Sequence, residues 1–545
     1  MTRQPARSNS GRLAYKKNGN SGGCAMFMKK CMIVFCTALL MMLQCCIAGA
    51  SELKEDPDML LTNERTWDIR KAQYTIFAKP PVGWVGDVMP MVGDEESGEL
   101  RLFYLQDWRD GAPTYHPFHS FTTSDFVHYT YNGEDIPVTA TNHYDMALGT
   151  GSVTKVGDTY HAFYTGNNPH FFNQGKPREY IRHAVSTDGL QTFTKMEAET
   201  FTMDQADGYN RHDFRDPFLF WNEEGQEWWL LITAVKDNRG VVARYRSQDL
   251  TTWEKMDPLC DIRGGIMECP DLFKWGDYWY LVYSTDWTTR YLRAESLDGP
   301  WVHPPMTAFD SHGFYAAKTG VLNGKRYLCG WIGTRGGYSG EFKDTSEWDW
   351  AGNLAVFELV QDEEGWLKIK LPDTIRAAFG EAVPMTYKII DGTAEVQGDD
   401  ITITGDKNGG GVTFGNLPDG PVLISTTVVI SGDARAAGFF FGGDSFMKAL
   451  AVELNMKHEQ IRYDSSLVAR MRYVAEASYI SRDINTKERT YQLDILIDND
   501  IAVFFLDGRE ALSTRIYKMP QMPWGVYVAD GAAVFQNITM HLLKE

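Results

Sequence analysis

Short hydrophobic runs separated by polar turns make up most of the chain and predict strands rather than helices. The runs are rich in Tyr, Trp, Phe, Val and Leu, and Gly, Asp and Asn stand between them. One pattern, a turn followed by an aromatic strand, occurs five times. Its copies are Leu100–Leu105, Thr159–Thr165, Glu227–Ile232, Tyr278–Ser284 and Arg326–Ile332. An all-β fold is therefore expected.

The aromatic strands recur at a regular spacing. Successive markers are 60, 67, 52 and 48 residues apart, counted through Tyr104, Tyr164, Leu231, Tyr283 and Trp331. A second element, a turn with Ser and Asp, follows the first four strands at Asp125, Asp188, Asp249 and Asp298. Repeats of this length, with about four strands each, are typical of β-propellers. Residues 74–372 are therefore predicted to form a five-bladed propeller.

The pattern changes beyond residue 384. Alternating strands such as Ile401–Thr404, Val422–Ile430 and Leu493–Leu506 are joined by Gly-Asp and Asp-Gly turns, and the aromatic repeat ends. This alternation is typical of a β-sandwich, in which each strand buries one face. Residues 385–545 are therefore predicted to form a C-terminal β-sandwich that packs against the propeller.

The first fifty residues have the order of a secretory signal with an N-terminal extension. The basic pair Lys29–Lys30 precedes the apolar run Cys31–Leu43, and the small residues Ala48–Ala50 follow. Cleavage after Ala50 would leave no transmembrane segment and would export the protein to the periplasm, the cell surface or the medium. Two alternatives remain open at this point, an uncleaved membrane anchor and lipid attachment at Cys45–Cys46.

Composition and charge exclude several classes of protein. Hydrophobic residues make up 43% of the 545, which is enough for a large core. The formal charge of −19 argues against a nucleic-acid partner, because an acidic surface repels phosphates. Outside the leader only Cys260, Cys269 and Cys329 remain, so no disulfide framework is expected, and their spacing matches no metal site. The sequence carries no signal of oligomeric state.

Three acids occupy equivalent places in three predicted blades. Asp87, Asp216 and Glu268 precede the marker of their own blade by 17, 15 and 15 residues. These places fall on the innermost strands, so the three carboxylates are expected to converge on the central channel. Converging carboxylates repel one another, which raises the pKa of one and leaves another ionised. Such a pair provides the acid and the nucleophile that glycoside hydrolysis requires.

Simpler interpretations compete for each residue taken alone. An Asp beside Gly, such as Asp87, is commonly a turn residue, and Arg215 with Asp216 is compatible with a structural ion pair. The equivalent positions across blades favour the catalytic interpretation. Aromatic residues such as Trp84, Trp108 and Trp287 are candidates for stacking on sugar rings, although most Trp residues are expected to fill the blades.

The three acidic motifs, in their order, resemble those of glycoside hydrolase family 32, the β-fructosidases that include invertases, levanases and inulinases. Trp84 stands three residues before Asp87, although the usual Asn-Asp-Pro-Asn-Gly is here Gly86-Asp87-Val88-Met89-Pro90. The Arg-Asp-Pro motif matches Arg215-Asp216-Pro217, and the Glu-Cys motif matches Glu268-Cys269. Weaker similarities include Gly151-Ser152, Phe314-Tyr315, Gly330-Trp331, Trp350-Ala351-Gly352 and Arg515-Ile516-Tyr517.

The resemblance implies a role for each matched residue. Asp87 would be the nucleophile, Glu268 the general acid and base, and Asp216 the transition-state stabiliser. Arg215 would assist sugar binding, and the matched positions add Ser152 and Tyr315 to the substrate-binding candidates Trp84 and Trp108. The family's chemistry implies double displacement with retention, and neither a metal nor an organic cofactor.

The implied substrates are fructose-containing oligo- or polysaccharides, namely sucrose, fructo-oligosaccharides or fructans. Two other functions stay open at the level of sequence. Inverting arabinofuranosidases and xylosidases of a related family also have five blades and three acids, and a propeller that only binds glycans has the same fold. The altered motif around Asp87 leaves the leaving-group preference undetermined.

Overall fold

The computed structural model describes residues 53–60, 68–94, 97–109, 115–305, 308–344, 346–441, 450–464, 479–521 and 523–544. The predicted signal, its cleavage site and the candidate lipid site at Cys45–Cys46 lie outside the described residues. Residues 51–545 form one compact unit. Among the helices that the structure describes, none has the length and apolar character needed to cross a membrane.

The predicted fold class is confirmed, because the first part of the chain forms five blades, of which blades I and V are joined into one nine-stranded sheet. Blade I contains Trp84–Val88, Glu99–Asp107, Phe118–Thr123 and Thr130–Ile136, with Val92–Asp94 paired to its second strand. Blade II contains Ala147–Val156, Thr159–Asn167, Glu179–Ser186 and Thr194–Lys195. In both blades the predicted aromatic strand is the second from the channel.

The remaining blades repeat this order. Blade III contains Tyr209–Asn222, Glu227–Lys236, Arg239–Ser247 and Glu254–Lys255, with Cys260–Ile262 paired to its third strand. Blade IV contains Glu268–Trp275, Tyr278–Thr285 and Thr288–Ala294, and blade V contains Phe314–Leu322, Lys325–Arg335, Trp348–Gln361 and Leu367–Lys370. The described helical segments are Pro169–Phe172 and Asp373–Ala378, with 3-10 turns at Glu197–Glu199, Gln205–Asp207 and Met519–Gln521.

The second repeated sequence element forms a turn after the third strand of blades I to III. The Oδ1 atoms of Asp125, Asp188 and Asp249 each accept hydrogen bonds from two backbone N–H groups further along the chain. Short carboxylate side chains commonly stabilise turns in this way. The recurrence of Ser and Asp along the chain is therefore structural in origin.

The C-terminal region consists of two packed eight-stranded sheets. The first contains, in spatial order, Lys54–Glu55, Thr386–Asp391, Gly410–Asn416, Pro523–Ala529, Ala436–Phe441, Leu450–Asn455, Gln460–Asp464 and Tyr479–Asp483. The second contains Thr393–Gln397, Asp400–Gly405, Gly531–Leu543, Val422–Ile430, Thr490–Asp498, Ile501–Leu506 and Glu510–Arg515, and Phe379–Ala382 pairs with its strand Gly531–Leu543. The two inner faces form one continuous apolar core.

Propeller and sandwich share a buried interface. The Asp498 carboxylate of the sandwich accepts hydrogen bonds from the backbone N–H groups of Thr75 and Ile76, and the Ser513 N–H donates to Asp310 at 2.8 Å. The largest apolar cluster contains residues of both regions. The predicted domain limits, 74–372 and 385–545, stay predictions.

The propeller ring closes where the last blade meets the first. Gly352, on the third strand of blade V, lies opposite Val85, on the innermost strand of blade I, and it also pairs with Gly333 of its own blade. A Cβ atom at Gly352 would overlap the carbonyl oxygen of Ile332. Only glycine lets these three strands approach so closely.

We expect Gly352→Ala to lower the free energy of unfolding by about 3 kcal/mol, because the added methyl group forces packed backbone apart. The measurement is the midpoint of thermal or urea unfolding of the purified protein. Gly432→Ala is the matched control, since a Cβ atom there meets no neighbour within 4 Å. Equal midpoints for the two variants would contradict the role assigned to Gly352.

Candidate active site

All five innermost strands bulge at an equivalent place. The register of pairing with the second strand shifts between Val85 and Val88, Gly149 and Gly151, Arg215 and Phe218, Glu268 and Asp271, and Tyr315 and Lys318. Three of these bulges carry the predicted acids, and the fifth carries Tyr315. Because a bulge redirects a side chain at a strand end, the repeat aims these groups at one point of the channel.

The structure brings the three acids together. Asp216 Oδ2 accepts a hydrogen bond from the backbone N–H of Cys269 at 2.9 Å, which ties it to the residue that follows Glu268. The charges of Asp216 and Glu268 both raise the pKa of Asp87. The positions that were predicted to be equivalent therefore form one cluster of carboxylates.

Two indole groups hold the Asp87 carboxylate. Trp331 and Trp350 donate their Nε1–H groups to the same oxygen, Asp87 Oδ1, at 2.9 and 3.0 Å. Both indole donors bond Oδ1, and no hydrogen-bond donor among the described residues contacts Oδ2. Burial, together with the neighbouring charges of Asp216 and Glu268, raises the pKa of Asp87 to about 7. The two indoles oppose this rise, because they bond the charged form.

The altered motif before Asp87 has a structural reason. A Cβ atom at Gly86 would lie 2.5 Å from Cη2 of Trp350. The Trp350 ring therefore occupies the volume that the side chain of the usual Asn would need. Glycine at this position admits the indole that donates to Asp87.

Hydrogen bonds fix both the backbone and the side chain of Asp216. Its backbone N–H donates to Thr165 Oγ1 at 2.8 Å, and its Oδ2 accepts from Thr233 Oγ1 at 3.2 Å. The residue has a φ of 58°, in the left-handed region that non-glycine residues rarely adopt. Burial raises the pKa of Asp216, and the nearby guanidinium of Arg215 opposes the rise. The side chain is thus held in one orientation inside the channel.

Arg215 and Tyr315 hold Glu268. Arg215 Nη2 donates to Glu268 Oε1 at 2.8 Å, and the Tyr315 hydroxyl donates to Oε2. Arg215 is itself fixed by Asp213 at 2.9 Å and by the buried Glu179 at 3.3 Å. The Glu268 side chain is 29% exposed, against 5% for Asp216, so solvent reaches Glu268 more readily than Asp216.

The other predicted binding residues occupy different surroundings. Trp84 is buried against Phe342, with the Arg109 guanidinium 5.2 Å from its ring. Ser152 is buried, and its Oγ accepts the backbone N–H of Leu219 in the next blade at 2.9 Å. Trp108 is 37% exposed, with its ring edge-on to that of His119. Their contribution to sugar binding stays a prediction.

The sequence alone did not predict a chemical role for several residues of the site. Trp331 served as a blade marker and, like Trp350, as a weak family similarity, and Thr233 and Glu179 were not singled out. One signal could have pointed to the two tryptophans, because a buried indole N–H group needs a hydrogen-bond acceptor. Trp287, which was considered for stacking, lies 5.6 Å from the Tyr315 ring and is 40% exposed.

Lys318 adds a buried cation to the channel. Its Nζ donates to the carbonyl oxygen of Gly151 at 2.9 Å, and its charge lowers the pKa of Asp216. Within the described ranges, no group of three or more His, Cys, Asp and Glu side chains has an arrangement suited to a metal ion. The arrangement can hold a nucleophilic carboxylate, an exposed carboxyl for proton transfer and a buried carboxylate for hydroxyl groups.

Asp87→Asn is expected to raise the thermal midpoint, and the gain should grow between pH 4 and pH 8. The folded protein holds Asp87 with a pKa of about 7, above that of the unfolded chain, so ionising this buried carboxyl costs stability as pH rises. Asp188→Asn is the control with the opposite sign, because hydrogen bonds from Thr192 lower the pKa of Asp188 to about 2. A gain for Asp87→Asn that does not depend on pH would contradict this assignment.

Comparison with known proteins identifies the family. Residues 78–364 match the glycosyl hydrolases family 32 N-terminal domain. The sucrose-6-phosphate hydrolase of Escherichia coli is 25% identical over 495 residues, which cover 84% of this chain and 92% of that protein. The sucrose-6-phosphate hydrolase of Salmonella typhimurium is 28% identical over 265 residues, 44% of this chain and 54% of that protein.

A solved structure shares the whole architecture. The family 32 β-fructofuranosidase BmSUC1 of Bombyx mori aligns with a TM-score of 0.62 at 19% identity, over 87% of this chain and 94% of that one. Fructan 1-exohydrolase IIa of Cichorium intybus aligns with a TM-score of 0.64 at 15% identity, over 87% and 97%. Since the family match covers more than half of the sequence, this chain belongs to family 32 of the glycosyl hydrolases.

Proposed function

We propose that this protein is a retaining β-fructofuranosidase that releases fructose from sucrose, fructo-oligosaccharides or fructans by double displacement. The observation that carries the proposal is the Asp87 carboxylate, which two indoles fix at Oδ1 and which lies close enough to the partly exposed Glu268 for the Glu268 charge to raise its pKa. A nucleophile and a proton donor so placed are what retaining hydrolysis requires.

In the first step Asp87 Oδ2 attacks the anomeric carbon of the fructosyl unit. The bond between that carbon and the leaving oxygen breaks, and Glu268 gives its proton to the leaving oxygen. In the second step the Glu268 carboxylate takes a proton from water, whose oxygen attacks the same carbon and frees Asp87. Two inversions at one carbon retain the configuration.

Asp216 supports the transition state by binding ring hydroxyl groups. Its anchored position means that little reorganisation is needed as charge develops on the sugar. Arg215 links the second and third acids and holds Glu268 Oε1, while the Tyr315 hydroxyl holds Oε2. Proton transfer from Glu268 therefore starts from one defined rotamer.

The relatives' names support fructosides as the substrate class. A sucrose-6-phosphate hydrolase, an invertase and an exo-inulinase are among the similar proteins, and a Cichorium intybus neighbour was solved with 1-kestose. The inverting arabinofuranosidase or xylosidase alternative is not favoured, because the sequence matches family 32. An inverting enzyme would release the opposite anomer as its first product, which NMR distinguishes.

Export to the periplasm, the cell surface or the medium belongs to the same proposal. The basic, apolar and small-residue order of the first fifty residues supports it. One similar protein, from Aspergillus niger, is named an extracellular exo-inulinase. Fructans are large and cannot cross a membrane unaided, so an enzyme that acts on them works best outside the cell.

Asp87→Asn and Glu268→Gln are each expected to lower kcat on fructosides by about 10⁴-fold or more, because each removes a group that forms or breaks a bond. Release of fructose from sucrose, 1-kestose, inulin and levan is the measurement, with products resolved by size. Asp188→Asn, far from the channel, is the control and should keep wild-type kcat. Wild-type turnover in either active-site variant would refute the proposed roles.

The value of kcat/KM is expected to fall as pH drops below about 7. Attack requires ionised Asp87, and protonation of a group with a pKa of about 7 removes about tenfold of activity per pH unit below it. Initial rates at low substrate between pH 4 and 9 give the profile. A profile that stays flat down to pH 5 would mean that another group limits the reaction.

A further inference from the structure

Arg515 connects the sandwich to the propeller strands around the site. It ends the sandwich strand Glu510–Arg515, and its side chain is completely buried. Its guanidinium donates to the carbonyl oxygens of Gly333 and Ile332 at 2.8 and 3.3 Å, to Asn353 Oδ1 at 2.6 Å, to Asp500 Oδ2 at 2.8 Å and to the Tyr74 hydroxyl at 3.4 Å.

Three of these acceptors belong to the strands that carry the indoles. Ile332 follows Trp331 directly, and Asn353 lies three residues after Trp350 on the neighbouring strand. The two strands pair at this point, with Ile332 opposite Asn353. The guanidinium therefore clamps both strands beside the two tryptophans that donate to Asp87.

We propose that Arg515 is a positioning residue of the active site, which holds Trp331 and Trp350 in place so that both indoles donate to Asp87 Oδ1. The inference rests on the proposed nucleophilic role of Asp87. It gives the sandwich a part in catalysis, although no sandwich residue touches the three acids in the described structure.

The chemistry of the clamp favours arginine. A planar guanidinium offers five N–H donors in a fixed fork, which lets one side chain bind two backbone carbonyls, an amide oxygen and a carboxylate together. Asp500 balances the buried charge, and the Tyr74 hydroxyl donates to Asp500 Oδ1 at 2.5 Å. Lysine keeps the charge but cannot reach all of these acceptors.

Weakening the contacts of Arg515 with the two tryptophan strands is expected to change the pKa of Asp87. The ionisable groups that face Asp87 are Asp216, Glu268, Tyr315 and the Cys269 thiol. None of the four offers Asp87 a hydrogen bond, so the indoles are its only described donors. If the indoles move away, the pKa of Asp87 rises further and its attacking oxygen loses its fixed position.

The test is Arg515→Lys in the full-length protein, assayed on sucrose and 1-kestose across pH. We expect kcat to fall about tenfold and KM to change by less than about twofold. The acidic limb, the part of the kcat/KM profile in which activity falls as pH drops, should lie at higher pH than in the wild type. Ser513→Ala is the control, because it removes a hydrogen bond to Asp310 in the same interface without touching the tryptophan strands. Its acidic limb should match that of the wild type.

A double-mutant cycle separates positioning from general damage. In a Trp350→Phe background one of the two indole donors is already lost, so Arg515→Lys should cost clearly less there than in the wild type. Asn353→Ala provides a second variant if Arg515→Lys does not fold, and it should move the acidic limb in the same direction. The inference would be overturned if the folded variants kept the acidic limb of kcat/KM at the wild-type pH, or if the losses in kcat were fully additive in the double mutant.

The outcome also distinguishes this inference from the proposed function. A wild-type protein without fructosidase activity, or an active Asp87→Asn variant, would remove the proposed function. An active wild type with an inactive Asp87→Asn variant, combined with an unmoved limb in Arg515→Lys, would remove only the role of Arg515.

Discussion

Repulsion between three carboxylates in one buried pocket is the constraint that organises the rest of the site. Each acid has its own compensation: the indoles for Asp87, the Cys269 backbone N–H for Asp216, and the Arg215 guanidinium for Glu268. The three acids remain in different surroundings, because burial still holds the pKa of Asp87 near 7 while Glu268 remains partly exposed. The roles proposed for the acids rest on the family 32 motifs, because burial raises the pKa of Asp87, the direction that suits a proton donor, and the two indoles oppose that rise in favour of the ionised form.

The propeller makes this crowding possible by repetition. One bulge is repeated on five innermost strands, and the bulges of blades I, III, IV and V bring Asp87, Asp216, Glu268 and Tyr315 together. The chemistry of such a scaffold depends on which residues occupy the bulges, so the blades themselves carry the acids and no separate catalytic domain is needed. The sandwich stabilises this arrangement from outside, through Asp498, Ser513 and Arg515.

Much of the fold and part of the site could be predicted from sequence. The aromatic spacing predicted five blades, and the nearly equal offsets of Asp87, Asp216 and Glu268 predicted that the three acids meet, because both signals repeat along the chain. The indole donors could not be found in this way, since the contacts of Trp331 and Trp350 with Asp87 span 244 and 263 residues and have no local pattern. The motif match at Ser152 likewise could not reveal that its hydroxyl accepts a hydrogen bond from the next blade, and its part in sugar binding stays a prediction.

The seam between the last and first blades has a consequence for how the protein loses function. Val85, at the seam, is two residues from Asp87, and its pairing with Gly352 joins blades I and V in one nine-stranded sheet. The described strands of blades III and IV, which carry the other two acids, form separate sheets. Because one residue pair makes the joint between blades I and V, its local opening would displace Asp87 and leave the other two acids where they are, so activity would be lost before the protein as a whole unfolds.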